Sequence, residues 1–322
     1  MTRPLEESGN TGKGIEMIDL HAHILPGLDD GAESLEESVE MCRISYGDGV
    51  RTIVATPHIL PGVYENHRST ILAKTQELNE AIRKFGVGSW ESGVQDPGGS
   101  TPPPVVQCGL RLPAGRAGNP ELGVKNLDSR MSHDSNSELR AHHSELPFVI
   151  LPGADVHFSP DLLQLCQNGE IVTVNDDGRF LMVEFDFMDL PYQGEKVLFE
   201  LIARGITPVI THPERNYEIA RAPKRYYEMI KMGCLGQVTA MSLTGEFGPD
   251  VKRVAERLVA HRLIHFIASD AHSVRGRTPL LFPAVKEAEK IVGRDEAERM
   301  VAEYPRQLLG GRRPDVPQPR SP

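Results

Sequence analysis

Cysteine is scarce in this chain and never closely spaced. Its four cysteines in 322 residues, Cys42, Cys108, Cys166 and Cys234, form no C-x-x-C pair. That spacing disfavours a zinc knuckle and a redox dithiol, and free, buried thiols are expected. None has an arginine six residues downstream; those positions hold Asp48, Ala114, Val172 and Ala240. The loop of a cysteine-dependent phosphatase is therefore missing, and so is any G-x-S-x-G elbow of a serine hydrolase. The segment "GNTGKG" at 9–14 has no Ser or Thr after its lysine and the wrong spacing for a nucleotide P-loop. Basic charge is also in deficit: 35 Lys and Arg face 45 Asp and Glu, a formal net charge of -10. That balance argues against a nucleic-acid backbone or an anionic membrane as the main partner. No segment approaches the roughly 20 apolar residues of a membrane span, and "MTRPLEESGNTGKGIE" has no signal-peptide core. A cytoplasmic location is the expectation.

What is present is a rhythm. Short apolar runs rich in branched residues recur: "MIDLHAH", "RTIVATPH", "FVILPGADVHF", "RFLMVEFDF", "ITPVITH", "LGQVTA" and "LIHFIASDAH". Helical patterns lie between them. Ser34 opens a capping box with Glu37 before a stripe of Leu35, Val39, Cys42 and Tyr46. A second stripe, Ile71, Leu72, Thr75, Leu78, Ile82 and Phe85, ends at Gly86. Further helices fit 160–168, 194–204, 223–232, 249–262 and 279–303. Strands alternating with helices imply an α/β fold with a parallel sheet, closed as a barrel or open and doubly wound. Residues 87–146, with "DPGGSTPPPVV" and "RMSHDSNSELRAHHSE", read as a low-complexity flexible insertion. Residues 1–15 read as a flexible N-terminal tail and 310–322 as a disordered Pro/Arg-rich tail. The folded body is one domain over 16–309, interrupted by the insertion.

The polar residues at the ends of the apolar runs are of few types: His21, His23 and Asp30; His58; Asp155 and His157; Glu184 and Asp186; His212; Asp270 and His272. In a parallel α/β protein these positions lie at the carboxyl ends of strands, where ligand sites are built. Imidazole nitrogen and carboxylate oxygen suit Zn, Mn or Fe. Burying so many of them without a cation would be costly. A bridging carboxylate such as Glu184 would let two cations activate a shared hydroxide for in-line displacement. His157 and Asp186 lie past the expected strand ends and are weaker candidates. Arg215 in "THPERN" and Arg277 in "DAHSVRGRTP" fall near the same mouth, with Arg275 as a further candidate, and arginine's planar fork matches phosphate oxygens. Metals with arginine point to a phosphate ester.

Together, "MIDLHAHILPGLDDGAESLEES", "RTIVATPH", "VEFDF", "THPERN", "GQVTAMSLTGEFG" and "FIASDAH" resemble the polymerase-and-histidinol-phosphatase (PHP) superfamily. Within it they resemble most the bacterial protein-tyrosine phosphatases of capsule and exopolysaccharide operons, the CpsB/CapC type. The resemblance implies a PHP-type distorted (β/α)7 barrel, of about seven strand-helix units. It implies up to three divalent cations, commonly manganese. By position it implies His21, His23, Asp30, His58, Glu184, His212, Asp270 and His272 as metal ligands, with Asp155 as a ligand one methylene shorter than the family's usual glutamate. Asp29 and Asp19 are left as supporting or turn-stabilising groups. Arg215 matches the family's phosphate-binding arginine and Arg277 a second one at the mouth. The implied partner is a phosphotyrosine-bearing bacterial tyrosine kinase that controls polysaccharide synthesis, and homo-oligomerisation is left open. Two alternatives stand beside this reading: a small-molecule phosphatase of the histidinol-phosphatase kind, and a non-catalytic regulator that binds a kinase. An exonuclease fits the acidic charge poorly, and an amidohydrolase commonly needs a bridging lysine where this chain has Glu184.

Overall fold

Each apolar run becomes parallel strand, and two of the runs break in the middle. The computed structural model describes residues 15–86 and 148–322. The expected insertion at 87–146 lies outside the described residues, as does all of the expected N-terminal tail but Ile15. The described strands are β1 (Met17–Ala22), β2 (Val50–Ala55), β3 (His58–Ile59), β4 (Val149–Pro152), β5 (Asp155–His157), β6 (Phe180–Glu184), β7 (Thr207–Thr211), β8 (Leu235–Thr239) and β9 (Phe266–Ala268). They form one three-stranded sheet, ordered β1-β2-β4, and one six-stranded sheet, ordered β3-β5-β6-β7-β8-β9. Every pairing within the two sheets is parallel. Strands buried on both faces read as continuous Val/Ile/Leu runs, which is why these segments lack strict alternation.

The split runs mark where the chain passes from one sheet to the other. "RTIVATPH" is interrupted at Thr56-Pro57, where proline has no N–H to give a ladder, and "FVILPGADVHF" at Gly153-Ala154. Upstream of the breaks β2 pairs with β4; downstream β3 pairs with β5. Gly153 is required there, because a Cβ would fall 2.7 Å from Val54 Cγ1 and 3.2 Å from the Ala55 carbonyl oxygen. A single bridge between Ala22 and Ala271 links the end of β1 to the segment after β9.

The helices are α1 (Leu35–Gly47), α2 (Arg68–Phe85), α3 (Leu162–Gln167), α4 (Gly194–Ala203), α5 (Tyr217–Arg221), α6 (Lys224–Met232), α7 (Ala240–Thr244), α8 (Pro249–Ala260), α9 (Phe282–Val292), α10 (Arg294–Arg299) and α11 (Glu303–Leu309). Ser34 caps α1, its hydroxyl accepting the Glu37 N–H at 3.2 Å. The returning Glu37 carboxylate takes the N–H of Glu33 rather than that of Ser34. On α2 the buried positions are Ile71, Thr75, Leu78, Asn79, Ala81 and Ile82, while Phe85 is exposed. The single helix expected over 279–303 is two, because Gly293 at φ 86° ends α9 and starts α10.

The expectation of a disordered C-terminal tail is corrected. Arg313 donates to the Gly233 carbonyl at 2.6 Å, the Arg320 N–H donates to His261 O at 2.8 Å, and Val316 packs against the core. Composition suggested freedom, but the tail's backbone and arginine donors find carbonyls at helix ends, where acceptors are left over.

Candidate metal centre

The site is assembled from strand ends and the loops that leave them. His21 lies on β1 and His23 just beyond it. His58 opens β3, Asp155 opens β5, Glu184 closes β6, His212 follows β7, and Asp270 with His272 follows β9. His212 and Asp270 both occupy left-handed backbone, at φ 35° and 52°. Such conformations cost about 1–3 kcal/mol each in non-glycine residues and persist where the surroundings fix them. Asp30 comes in on the turn after β1. That turn needs Gly31, since a Cβ there would lie 2.1 Å from the His23 carbonyl oxygen.

The structure brings all nine expected ligands together. Asp155 Oδ2 lies 3.6 Å from His21 Nε2, 3.6 Å from His212 Nε2 and 3.8 Å from His58 Nδ1. Glu184 lies 3.4 Å from both His58 Nδ1 and His212 Nε2. Asp270 Oδ1 lies 3.4 Å from His21 Nε2 and 3.3 Å from His23 Nε2, and Asp30 Oδ1 is 3.5 Å from His272 Nε2 and 3.7 Å from His58 Nε2. Three overlapping groups have donor atoms within 4.8 Å of one another: His23, Asp30, His58 and His272; His21, His23 and Asp155; and His58, Asp155 and Glu184. Donors that share an ion at about 2.1 Å stand up to about 4.2 Å apart, so these separations suit cations between them. The polar atoms themselves carry the fit: Asp155 Oδ2 and His58 Nδ1 are buried with no hydrogen-bond partner, an arrangement that a cation would satisfy and that is otherwise expensive.

Several rings are aimed from behind. His23 Nδ1 is 2.7 Å from Asp29 Oδ2, His21 Nδ1 is 3.0 Å from Gln237 Oε1, and His272 Nδ1 is 2.9 Å from the Asp270 carbonyl oxygen. Each acceptor takes the Nδ1 proton in a hydrogen bond and so turns the Nε2 side of the ring toward the centre. Asp29 also takes the backbone N–H groups of Gly31 and His58, both at 2.9 Å. Asp19 turns away from the centre to Ser269, accepting from its N–H at 3.0 Å and from its hydroxyl. Gln237 and Ser269 were missed in the sequence, although Gln237 is visible as the polar residue inside "LGQVTA". His157 is peripheral. Its Nδ1 is 3.8 Å from Glu184 and its Nε2 3.7 Å from Asp186, whose carboxylate is 78% exposed.

Charge follows position. Burial opposes a proton on His21 and His272, pushing each down to about 4. Burial also opposes one on His23, but the Asp29 and Asp270 carboxylates outweigh it and lift that imidazole to about 10. On His212, burial and Arg215 are outweighed by Asp155 and Glu184, giving about 9. Burial raises Asp19 to about 6. The Asp270 carboxyl, against the cost of burial, is held well below the usual carboxylate range by Arg277 and Arg215. Arg215 donates to Asp270 Oδ2 at 2.6 Å; Arg277 donates to the same oxygen and, at 2.9 Å, meets His272 Nε2. The guanidinium groups therefore stand where the carboxylates demand positive charge, at the rim of the ligand set. Arg275 is exposed beside them.

Comparison with known proteins gives a consistent answer. The family model for capsular polysaccharide synthesis, CpsB/CapC, matches residues 17–89 and 121–310. The tyrosine-protein phosphatase YwqE of Bacillus subtilis is 31% identical over 293 residues, 91% of each chain. CpsB of Streptococcus pneumoniae, also named a tyrosine-protein phosphatase, is 27% identical over 91% of this chain and 98% of its own. A crystal structure from work on these two proteins, described as unique metal-dependent tyrosine phosphatases, aligns with TM-score 0.73 at 29% identity, covering 95% of this chain and 99% of that one. By the extent of the family match and the identity shared with YwqE, this chain belongs to the CpsB/CapC family of capsular polysaccharide synthesis proteins.

Proposed function

We propose that the chain is a metal-dependent phosphotyrosine-protein phosphatase acting on a bacterial tyrosine kinase that controls capsule or exopolysaccharide synthesis. The observation that carries this reading is three N/O donor groups beside two guanidinium groups, the arginines sitting on Asp270, whose other oxygen faces His21 and His23. His21, His23, Asp30, His58, Asp155, Glu184, His212, Asp270 and His272 would hold up to three divalent cations. Manganese is the cation we put forward, and the same donors accommodate zinc or iron. Bound there, divalent cations supply Lewis acidity toward a phosphoryl oxygen and toward water. Arg215 and Arg277 bind the remaining phosphate oxygens and hold the charge that grows as the ester bond breaks. No thiolate competes as nucleophile among the described residues, since burial pushes the Cys42 thiol up, that of Cys166 to about 11 and that of Cys234 to about 12.

The finer architecture follows. The nine described strands, with the Ala22–Ala271 bridge joining β1 to the segment after β9, support a PHP-type distorted barrel. The family match leaves out residues 90–120 but takes in 121–146, which supports an insertion interrupting one domain that is shorter than the expected 87–146. No helix among the described residues is long and apolar enough to cross a membrane. Free Cys42 and Cys234 fit a reducing cytoplasm.

Manganese-loaded protein is expected to hydrolyse a phosphotyrosine peptide, and both chelation and Arg215→Ala are expected to lower the rate by about a hundredfold or more. Activity retained under either treatment overturns the mechanism. Faster turnover of histidinol phosphate than of the peptide would move the assignment to a small-molecule phosphatase.

A further inference from the structure

Three residues beyond the end of β6, Phe187 keeps half of its side chain in water, with 50% exposed. Its place is specific. The ring centroid lies 6.1 Å from the His212 imidazole and 5.6 Å from the Arg215 guanidinium carbon. A second ring, Phe247, lies 5.4 Å from the Arg215 guanidinium and 5.9 Å from that of Arg277, and packs the arginines in place.

The backbone of Phe187 is tied to the segment that follows Arg215. Asn216, the next residue along, donates its side-chain N–H to the Asp186 carbonyl at 2.7 Å and caps α5 by accepting the Ile219 N–H at 2.9 Å. The Tyr217 N–H donates to Phe187 O at 2.7 Å, and the Glu218 N–H to Met188 O at 3.1 Å. The exposed ring and the arginine therefore ride on one hydrogen-bonded block. A surface ordered in advance loses little entropy when a ligand arrives.

In an aryl phosphate one oxygen separates ring from phosphorus. With its phosphate seated on Arg215, which lies 5.6 Å from the Phe187 ring, the aryl ring can reach the about 4.5–7 Å centroid range of aromatic pairs from Phe187. A short alkyl phosphate presents nothing for that ring to pack against. We propose that Phe187 is the aryl-selecting residue of this site, packing against the tyrosine ring and favouring phosphotyrosine over alkyl phosphates. The proposal rests on the phosphotyrosine-phosphatase reading above.

The test separates the two ideas by combining a binding and a kinetic readout. Calorimetry on the manganese-loaded full chain compares phenylphosphonate with methylphosphonate, and Phe187→Ala is expected to reduce the preference for the phenyl compound about tenfold. Phe187→Leu, which keeps apolar bulk without a ring, should behave like the alanine variant, and Phe187→Tyr should restore the preference. In turnover of a phosphotyrosine peptide, Phe187→Ala raises KM by a similar factor and leaves kcat nearly unchanged. An unaltered phenyl-to-methyl ratio, or equal weakening of both phosphonates, overturns the role of Phe187. Loss of peptide turnover in the wild-type protein, with the phosphonate preference intact, would instead count against the phosphatase reading.

Discussion

Asp29 and Asp30 are neighbours of identical chemistry with different surroundings. Asp30 places its carboxylate toward His58 and His272, whereas Asp29 is spent on His23 Nδ1 and on two backbone N–H groups. The difference was not legible from residue type, because it is set by the direction of the turn through Pro26, Gly27 at φ 71°, and Gly31. By contrast, the histidines and Glu184, Asp155 and Asp270 were legible, since each ends or opens an apolar run and strand ends converge in a parallel sheet. Asp29 should thus be a positioning residue for the proposed centre. Removing such a partner behind a ligating histidine costs about 10- to 100-fold in metal affinity. Asp29→Asn is expected to weaken manganese binding by that factor in calorimetry while the protein stays folded by circular dichroism. A dissociation constant equal to that of wild type would sink the idea.

At the scale of elements, the sequence announced strands and helices well and their breaks poorly. Gly293 stands inside an otherwise helical pattern, and glycine alone does not say whether a helix bends or stops. The two split strand runs are similar: Pro57 and Gly153 were visible, but the change of sheet they allow depends on partners far away in the chain. One such distant partner is Asn79. Strand β4 is the outer member of the three-stranded sheet, so its free edge needs hydrogen bonds from something other than a strand. Asn79 on α2 supplies them, donating to the Ile150 carbonyl at 2.7 Å and accepting the Ile150 N–H at 3.0 Å. Both groups are buried, and each buried polar group left unsatisfied costs about 1–3 kcal/mol. Asn79→Leu should therefore destabilise the protein by about 2–5 kcal/mol in urea unfolding. A loss below about 1 kcal/mol would show that water or another group can take over the edge.

For the molecule as a whole, the centre matters because its donors come from both sheets. His21 is carried by β1 of the three-stranded sheet, and His23 just follows it. His58, Asp155, Glu184, His212, Asp270 and His272 extend from the six-stranded sheet. Along the described boundary between the sheets, the Ala22–Ala271 bridge and the Asp19–Ser269 hydrogen bonds tie β1 to the segment after β9. A cation shared by His21, His23 and Asp155 would add a tie between β1 and β5, and it would neutralise buried carboxylates that repel one another. Binding to the folded chain alone then stabilises by mass action, about 2.7 kcal/mol for one site at a hundred times its dissociation constant. For a body of this size that corresponds to a rise in Tm of about 5–10 °C. Adding manganese to chelator-treated protein is thus expected to raise Tm by that amount in a single cooperative transition, since both sheets melt together. Calorimetric scans with and without metal check this: an unchanged Tm would deny a buried centre in the folded state, and two separated transitions would deny that the centre joins the sheets.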